Sequence, residues 1–192
     1  MKKIDIKQGS PEWFEARRGK LTASNAQAIA SAGKGLDTYI RKIIMEYKYP
    51  NAVDFYTNED IERGNEQEAT ARGLYELETG LTVEETGLVI MNDYVSASPD
   101  GITEKGLVEI KCPNNKNHYD FILDRKIAPA YEWQMLMQML VCDKTACDFV
   151  SYNENFGANA IIIKTYKRDE EKIKKLKAGL EKGTEMLKKL LK

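Results

Sequence analysis

The stretch from Ser96 to Pro113, SASPDGITEKGLVEIKCP, constrains the chain more than any other. Leu107–Lys111 reads as a strand, and strand side chains two apart share a face. Glu109 and Lys111 therefore point the same way, while Ile110 turns into the core. Asp100 lies just beyond the preceding strand, so it approaches that same face from a neighbour.

On either side the period changes. Ser10-Pro11 is an N-cap followed by proline at N1 and opens a short helix through Trp13, Phe14 and Ala16 that ends near Gly19. Thr22 and Ser24 are each placed to cap the Ala-rich turn that follows. Asp37 precedes TYIRKIIMEY, a helix stopping before Pro50, and residues 51–57 form a loop. A long helix from Asn58 has its apolar side at Ile61, Ala69, Leu74 and Leu77 and closes at Gly80. Leu81–Glu84, Leu88–Met91, Tyr94–Ser98 and Leu107–Lys111 then suggest an antiparallel meander. Pro129 starts a helix AYEWQMLMQMLV, strands follow at Cys147–Tyr152 and Ala160–Tyr166, and a last helix runs from Arg168 with Ile173, Leu176, Leu180, Leu187 and Leu190 at near-helical spacing. With no repeat or linker, residues 1–192 are expected to form one α/β domain around a central mixed sheet flanked by helices.

Composition narrows the chemistry. At 42% hydrophobic and 31% charged over 192 residues, the chain has the balance of an ordinary globular domain. No apolar run reaches the roughly 20 residues needed to cross a bilayer, and MKKIDIKQGSPEW carries no apolar stretch behind its lysines, so a cytoplasmic location is expected and no membrane partner. Cys112, Cys142 and Cys147 have no CxxC spacing and read as small buried hydrophobes. The one histidine, His118, leaves no material for a serine or cysteine triad or an HExxH site, and its expected role is structural. GxSxG is absent, and Gly33-Lys34 lacks the upstream glycine of a phosphate loop. Trp13 and Trp133 read as packing residues. Residues 164–192 carry eleven Lys/Arg against five acids, a charge of +6 where the rest of the chain holds −7. Such a segment is either a solvated helix face or a track for phosphates.

What remains is carboxylate and lysine chemistry. Asp100, Glu109 and the backbone carbonyl of Ile110 are hard oxygen donors of the kind Mg²⁺ or Mn²⁺ prefers. A lysine beside them suits phosphodiester hydrolysis, where metal lowers the pKa of water and Lys111 positions the nucleophile and offsets charge developing on phosphate. Read without any such function, Pro99-Asp100-Gly101 is a turn and Glu109/Lys111 a solvated strand pair.

SPDG followed by LVEIKCP resembles the core of the lambda exonuclease and YqaJ-like viral recombinase family, a branch of the PD-(D/E)xK nucleases with a restriction-endonuclease-like core. Three further segments match in order. WFEARRGKLTASNA is similar to the family's opening W-x-x-x-R-x-G-x-[IL]-T-A-S, placing Arg17 and Ser24 on its arginine and serine positions. RGNEQEATARGLYE is similar to the G-x-x-x-E-x-x-A-R helix and selects Glu68 over Glu62 and Glu66; AYEWQMLMQMLV is similar to the A-Y-x-x-Q helix and selects Gln134. The likeness spans about Trp13 to Tyr152.

The resemblance implies roles. Asp100, Glu109 and the Ile110 carbonyl would bind metal, with Glu68 completing the site directly or through water. Lys111 and Gln134 would organise the attacking water, and Arg17, Ser24 and Ser98 would contact a terminal 5′ phosphate. After the Cys112-Pro113 pair the family pattern has a basic residue that meets DNA; here Asn114-Asn115-Lys116-Asn117-His118 follows, so only Lys116 is available. The family also implies a Mg²⁺- or Mn²⁺-dependent exonuclease working 5′ to 3′ on the ends of double-stranded DNA, a trimeric ring, a single-strand annealing protein as partner, and a phage or prophage origin. Two rivals stand: an endonuclease on the same core, and a catalytically inactive module that binds DNA or a recombination partner.

Overall fold

The computed structural model describes residues 2–52 and 59–191, with backbone alone for 59–65. Ile61 and Glu62, and residues 53–58 of the expected loop and helix start, therefore lie outside the described residues or side chains.

The strands divide into two four-stranded mixed sheets. In the first, β1 (Lys2–Ile4), β3 (Leu88–Asn92), β4 (Val95–Ala97) and β2 (Leu21–Thr22) lie in that order. β1 and β4 flank β3 antiparallel, while β2 joins β4 in parallel. The second sheet has the order β5 (Gly101–Ile102), β6 (Leu107–Lys111), β7 (Ala146–Tyr152), β8 (Ile161–Lys167). Here β6 and β7 are parallel and the outer pairs antiparallel. Parallel neighbours require a crossover, which α5 (Asn115–Asp124) and α6 (Pro129–Cys142) supply.

Only part of the expected meander forms. Leu81–Glu84 is not a strand and contributes a single bridge, Glu84 to Ile102. Side chains take its backbone donors first: Val83 N donates to Glu76 Oε1 at 2.7 Å and Leu81 N to Thr79 Oγ1 at 3.3 Å. Helix α5 has no counterpart in the sequence reading. It is capped by Asn114, whose Oδ1 accepts from Asn117 N at 3.0 Å.

The remaining helices are α1 (Pro11–Arg17), α2 (Ala26–Ser31), α3 (Lys34–Lys48), α4 (Glu59–Thr79) and α7 (Glu170–Leu190). The Ser10 cap on α1 is present, with Trp13 N donating to Ser10 Oγ at 3.3 Å. Thr22 and Ser24 do not cap by side chain; Thr22 Oγ1 instead meets the Tyr39 hydroxyl at 2.9 Å. Helix α3 starts at Lys34, so Asp37 falls inside its first turn. In α7 the cap is Asp169, which accepts from Glu171 N and Lys172 N.

Helix α4 buries only part of the face expected. Leu74 packs on the second sheet's apolar cluster, but Ala69 and Leu77 are exposed, and the row Gln67, Ala71, Tyr75 packs inward. One turn's spacing explains the row, and the second sheet explains the choice: Ala71 and Tyr75 join Val108, Ile110 and Val150 in one apolar cluster. Glu68 and Arg72 are carried beside that row. Helix α6 packs on strands of both sheets and against α2 and α7. Helix α7 approaches α2 so closely that a Cβ at Gly179 would stand 1.9 Å from the Ile29 carbonyl oxygen. Its Ile173, Leu176, Leu180 and Leu187 are buried, while Leu190 remains exposed. No helix among the described residues is long and apolar enough to cross a membrane.

Candidate active site

Strand alternation delivers what the sequence required of β6. Ile110 is buried in the apolar cluster on one face. On the other, Lys111 Nζ forms an ion pair with Glu109 Oε1, the carboxylate fully buried and the lysine 26% exposed. Asp100 occupies the short link between β4 and β5, and its Oδ2 accepts from Ile110 N at 2.7 Å. One strand residue sends its N–H and C=O to the same edge. Pairing between β5 and β6 reaches only Val108, so the Ile110 carbonyl points to the side where Asp100 sits.

Glu109 is held from α6. Gln134 Nε2 donates to its Oε1 at 2.5 Å and Gln138 Nε2 to its Oε2 at 2.6 Å. Lys111 also lies 5.3 Å from the centre of the Tyr131 ring. From α4, Glu68 accepts from Arg72 at 2.6 Å, and the other arm of Arg72 reaches Glu85 at 3.0 Å.

Electrostatics show the groups sensing one another. Burial, then the charge of Glu109, push the Asp100 carboxyl well above its ordinary range, with Lys111 opposing the shift. Burial raises Glu68 as well, against the pull of Arg72 and Lys111. Burial alone would lower the Lys111 ammonium, but Glu109 and Asp100 outweigh it and hold the ammonium above its usual value. Glu68, Asp100, Glu109 and Lys111 thus share one desolvated neighbourhood. Among the described residues, no three Asp, Glu, His or Cys side chains are gathered closely enough to ligate one ion as they stand. Each of the three carboxylates instead accepts from a nitrogen donor of the protein.

A second group surrounds Trp13. The indole Nε1 donates to Ser98 Oγ and to the Gly87 carbonyl, both at 3.0 Å, and the Arg17 guanidinium lies 3.8 Å over the ring. Arg17 is lowered by burial, with Tyr39 and Glu46 acting the other way. Ser24 Oγ stands 3.3 Å from Thr22 Oγ1, which meets the Tyr39 hydroxyl at 2.9 Å. Arg17 and Ser98 are therefore joined through Trp13, Ser24 belongs to a separate hydroxyl chain whose Tyr39 senses the Arg17 charge, and Ser98 is two residues from Asp100. Lys116 stands apart: it is 81% exposed on α5 and pairs with Asp120 at 2.7 Å.

Neither Gln138 nor the bridging position of Trp13 was read from sequence. Gln138 sits in an apolar run, and its one signal was the four-residue spacing from Gln134, which puts both amides on one helix face. His118 has the structural place expected of it, with Nδ1 2.8 Å from Ser151 Oγ and Nε2 2.9 Å from the Asn159 carbonyl. None of the cysteines forms a disulfide. A half-open cavity of about 640 Å³ lies elsewhere, lined by Lys3, Glu84, Ile102, Glu104 and Lys144 among others, and contains none of the four converging groups.

The helix-flanked mixed sheets define an α/β architecture shared with solved exonucleases. The chain belongs to the YqaJ-like viral recombinase family, whose domain matches residues 12–145. It is 32% identical to an alkaline exonuclease, LHK-Exo, from Laribacter hongkongensis, superposing with a TM-score of 0.86 over 93% of each chain. A second structure of LHK-Exo, in complex with dAMP, gives 0.85 at the same identity and coverage. A phage-related exonuclease from Haemophilus somnus 129PT shares the fold, with 19% identity, a TM-score of 0.74, and coverage of 90% of this chain and 95% of that one. No curated protein sequence matches.

Proposed function

We propose that this chain is a divalent-metal-dependent deoxyribonuclease of the PD-(D/E)xK type that removes nucleotides from the 5′ ends of linear duplex DNA, leaving 3′ single strands for phage-type recombination. The observation that carries the reading is the Lys111 ammonium resting on buried Glu109, with Asp100 held to the same strand by the Ile110 N–H at 2.7 Å and Glu68 close enough to raise the Asp100 carboxyl. Family membership and the likeness to LHK-Exo support exonuclease chemistry. The dAMP complex of that relative supports a nucleoside monophosphate as product.

The donor set suits a hard cation. Burial raises the Asp100 and Glu68 carboxyls, a cost that positive charge relieves, and Asp100, Glu109 and the Ile110 carbonyl offer only oxygen, with Glu68 as a further carboxylate. Bound there, Mg²⁺ or Mn²⁺ supplies Lewis-acid charge and makes water a better nucleophile at neutral pH. The chain does the rest. Lys111, held by Glu109, places an ammonium where it can donate to the attacking water and to a phosphate oxygen as negative charge grows. Gln134 fixes the Glu109 carboxylate and would help to orient that water. Arg17, Ser24 and Ser98 form a pocket for the terminal 5′ phosphate, which seats the scissile bond one nucleotide inward and sets polarity. Lys116 is the exposed cation that follows the Cys112-Pro113 pair and is the residue assigned to the duplex backbone. A closed ring of three copies would keep the enzyme on its track, and a single-strand annealing protein would receive the exposed strand.

Linear duplexes labelled at either end, with and without a 5′ phosphate, test this directly. Mononucleotides should leave first from the 5′ label, only with Mg²⁺ or Mn²⁺ present, and faster when that end is phosphorylated. Asp100→Ala should be inert. Incision of covalently closed circular duplex would replace this reading with an endonuclease, and binding without any hydrolysis would leave a DNA-binding module.

A further inference from the structure

Gln138 occupies a position that packing alone does not explain. It lies within the buried run Met135–Cys142 of α6, is itself fully buried, and its Oε1 has no hydrogen-bond partner among the described residues. A methionine there would match the neighbours and leave no polar atom stranded. The other end of the amide is the informative one. Nε2 faces two acceptors, Glu109 Oε2 at 2.6 Å and the Ser98 carbonyl at 3.4 Å. Turning the amide over would set oxygen against oxygen on both sides, so this orientation is dictated by its surroundings.

Both acceptors belong to the proposed machinery. Glu109 Oε1 is already taken by Gln134 and Lys111, so Gln138 is the group that holds the second oxygen. Ser98 leads the other way, through its hydroxyl to Trp13 Nε1 and from the Trp13 ring to Arg17. We propose that Gln138 is a positioning residue that orients Glu109 and couples it, through Ser98 and Trp13, to the pocket formed by Arg17. The inference rests on the exonuclease reading above. Its content is that seating a terminal phosphate against Arg17 and Ser98 also settles the Glu109 carboxylate, so that a proper DNA end is rewarded in the chemical step.

The test measures kcat and KM separately on linear duplex with phosphorylated and unphosphorylated 5′ ends, for the parent, Gln138→Met, Arg17→Ala and the double variant. Gln138→Met should lower kcat about 10- to 100-fold, the range for removing a partner that orients a ligand carboxylate, with KM within about threefold. The phosphorylated end should lose more than the unphosphorylated one, and the double variant should lose less than the product of the two single losses. Circular dichroism melting checks folding. Should Gln138→Met not fold, Gln138→Leu removes the donor with a side chain of similar size, and the same losses are expected. A kcat within twofold of the parent overturns the positioning role, and losses that multiply with an unchanged phosphate preference overturn the coupling. A parent that releases no nucleotide from either end removes the exonuclease reading itself, whereas an active parent with an indifferent Gln138 removes this inference alone.

Discussion

Replacing Lys111 with methionine keeps most of the aliphatic stem and removes the ammonium from a buried acid cluster. Deleting one partner of a buried pair costs about 3–5 kcal/mol. Two features reduce that here. Glu109 keeps its amide donors, Gln134 at 2.5 Å and Gln138 at 2.6 Å, and Lys111 is 26% exposed, so solvent already screens part of the interaction. The expected loss is therefore about 2–3 kcal/mol at alkaline pH, which for a chain of this size lowers the melting midpoint by about 4–12 °C. The deficit depends on pH with a definite sign. Burial and neighbouring carboxylates raise Asp100 and Glu68 in the folded protein, and Lys111 opposes both shifts. A carboxyl raised on folding contributes stability in full below its unfolded value and loses it as pH climbs through the folded value. Without Lys111 the folded values rise further, so the variant falls behind the parent as pH increases from about 4–5 and draws level below it. Thermal denaturation in a chelator across about pH 4.5 to about pH 9 reads this out. A deficit of the same size at every pH, or none at all, would show that the three acids and the lysine do not share a site.

Other outcomes follow from the same geometry. Mg²⁺ or Mn²⁺ should raise the melting midpoint more at about pH 8 than at about pH 5, because the ion competes with protons for raised carboxyls; equal shifts would speak against binding there. Arg17→Ala should reduce the advantage of a phosphorylated 5′ end by about tenfold or more while sparing unphosphorylated ends, measured as the ratio of kcat/KM. Gly179→Ala should destabilise: the clash with the Ile29 carbonyl costs about 1–3 kcal/mol and outweighs the gain of up to about 1 kcal/mol in helix propensity, so a higher melting midpoint would refute the close approach of α7 to α2. His118→Ala should cost about 2–4 kcal/mol in urea denaturation by stranding Ser151 and the Asn159 carbonyl, yet leave hydrolysis per folded molecule unchanged.

Much of this protein follows from rules that act over a few residues. The two-residue period of β6 put Glu109 and Lys111 on one face and Ile110 on the other, the Ser10-Pro11 pair opened α1, and Pro129 opened α6, because dihedral preferences and caps need no distant partner. Tertiary contacts decided the rest. Leu81–Glu84 has the residues of a strand, but Glu76 and Thr79 took its backbone donors. Ala69 and Leu77 look as apolar as Ala71 and Tyr75, and only the placement of β6 and β7 chose which pair to bury. Trp13 reaches Ser98 across 85 residues and Gln138 reaches Glu109 across 29, so the span from the Arg17, Trp13 and Ser98 group to the acids exists only once both sheets close around α6. Local periodicity set which side chains could meet the chemistry, and long-range packing determined which of them were held there.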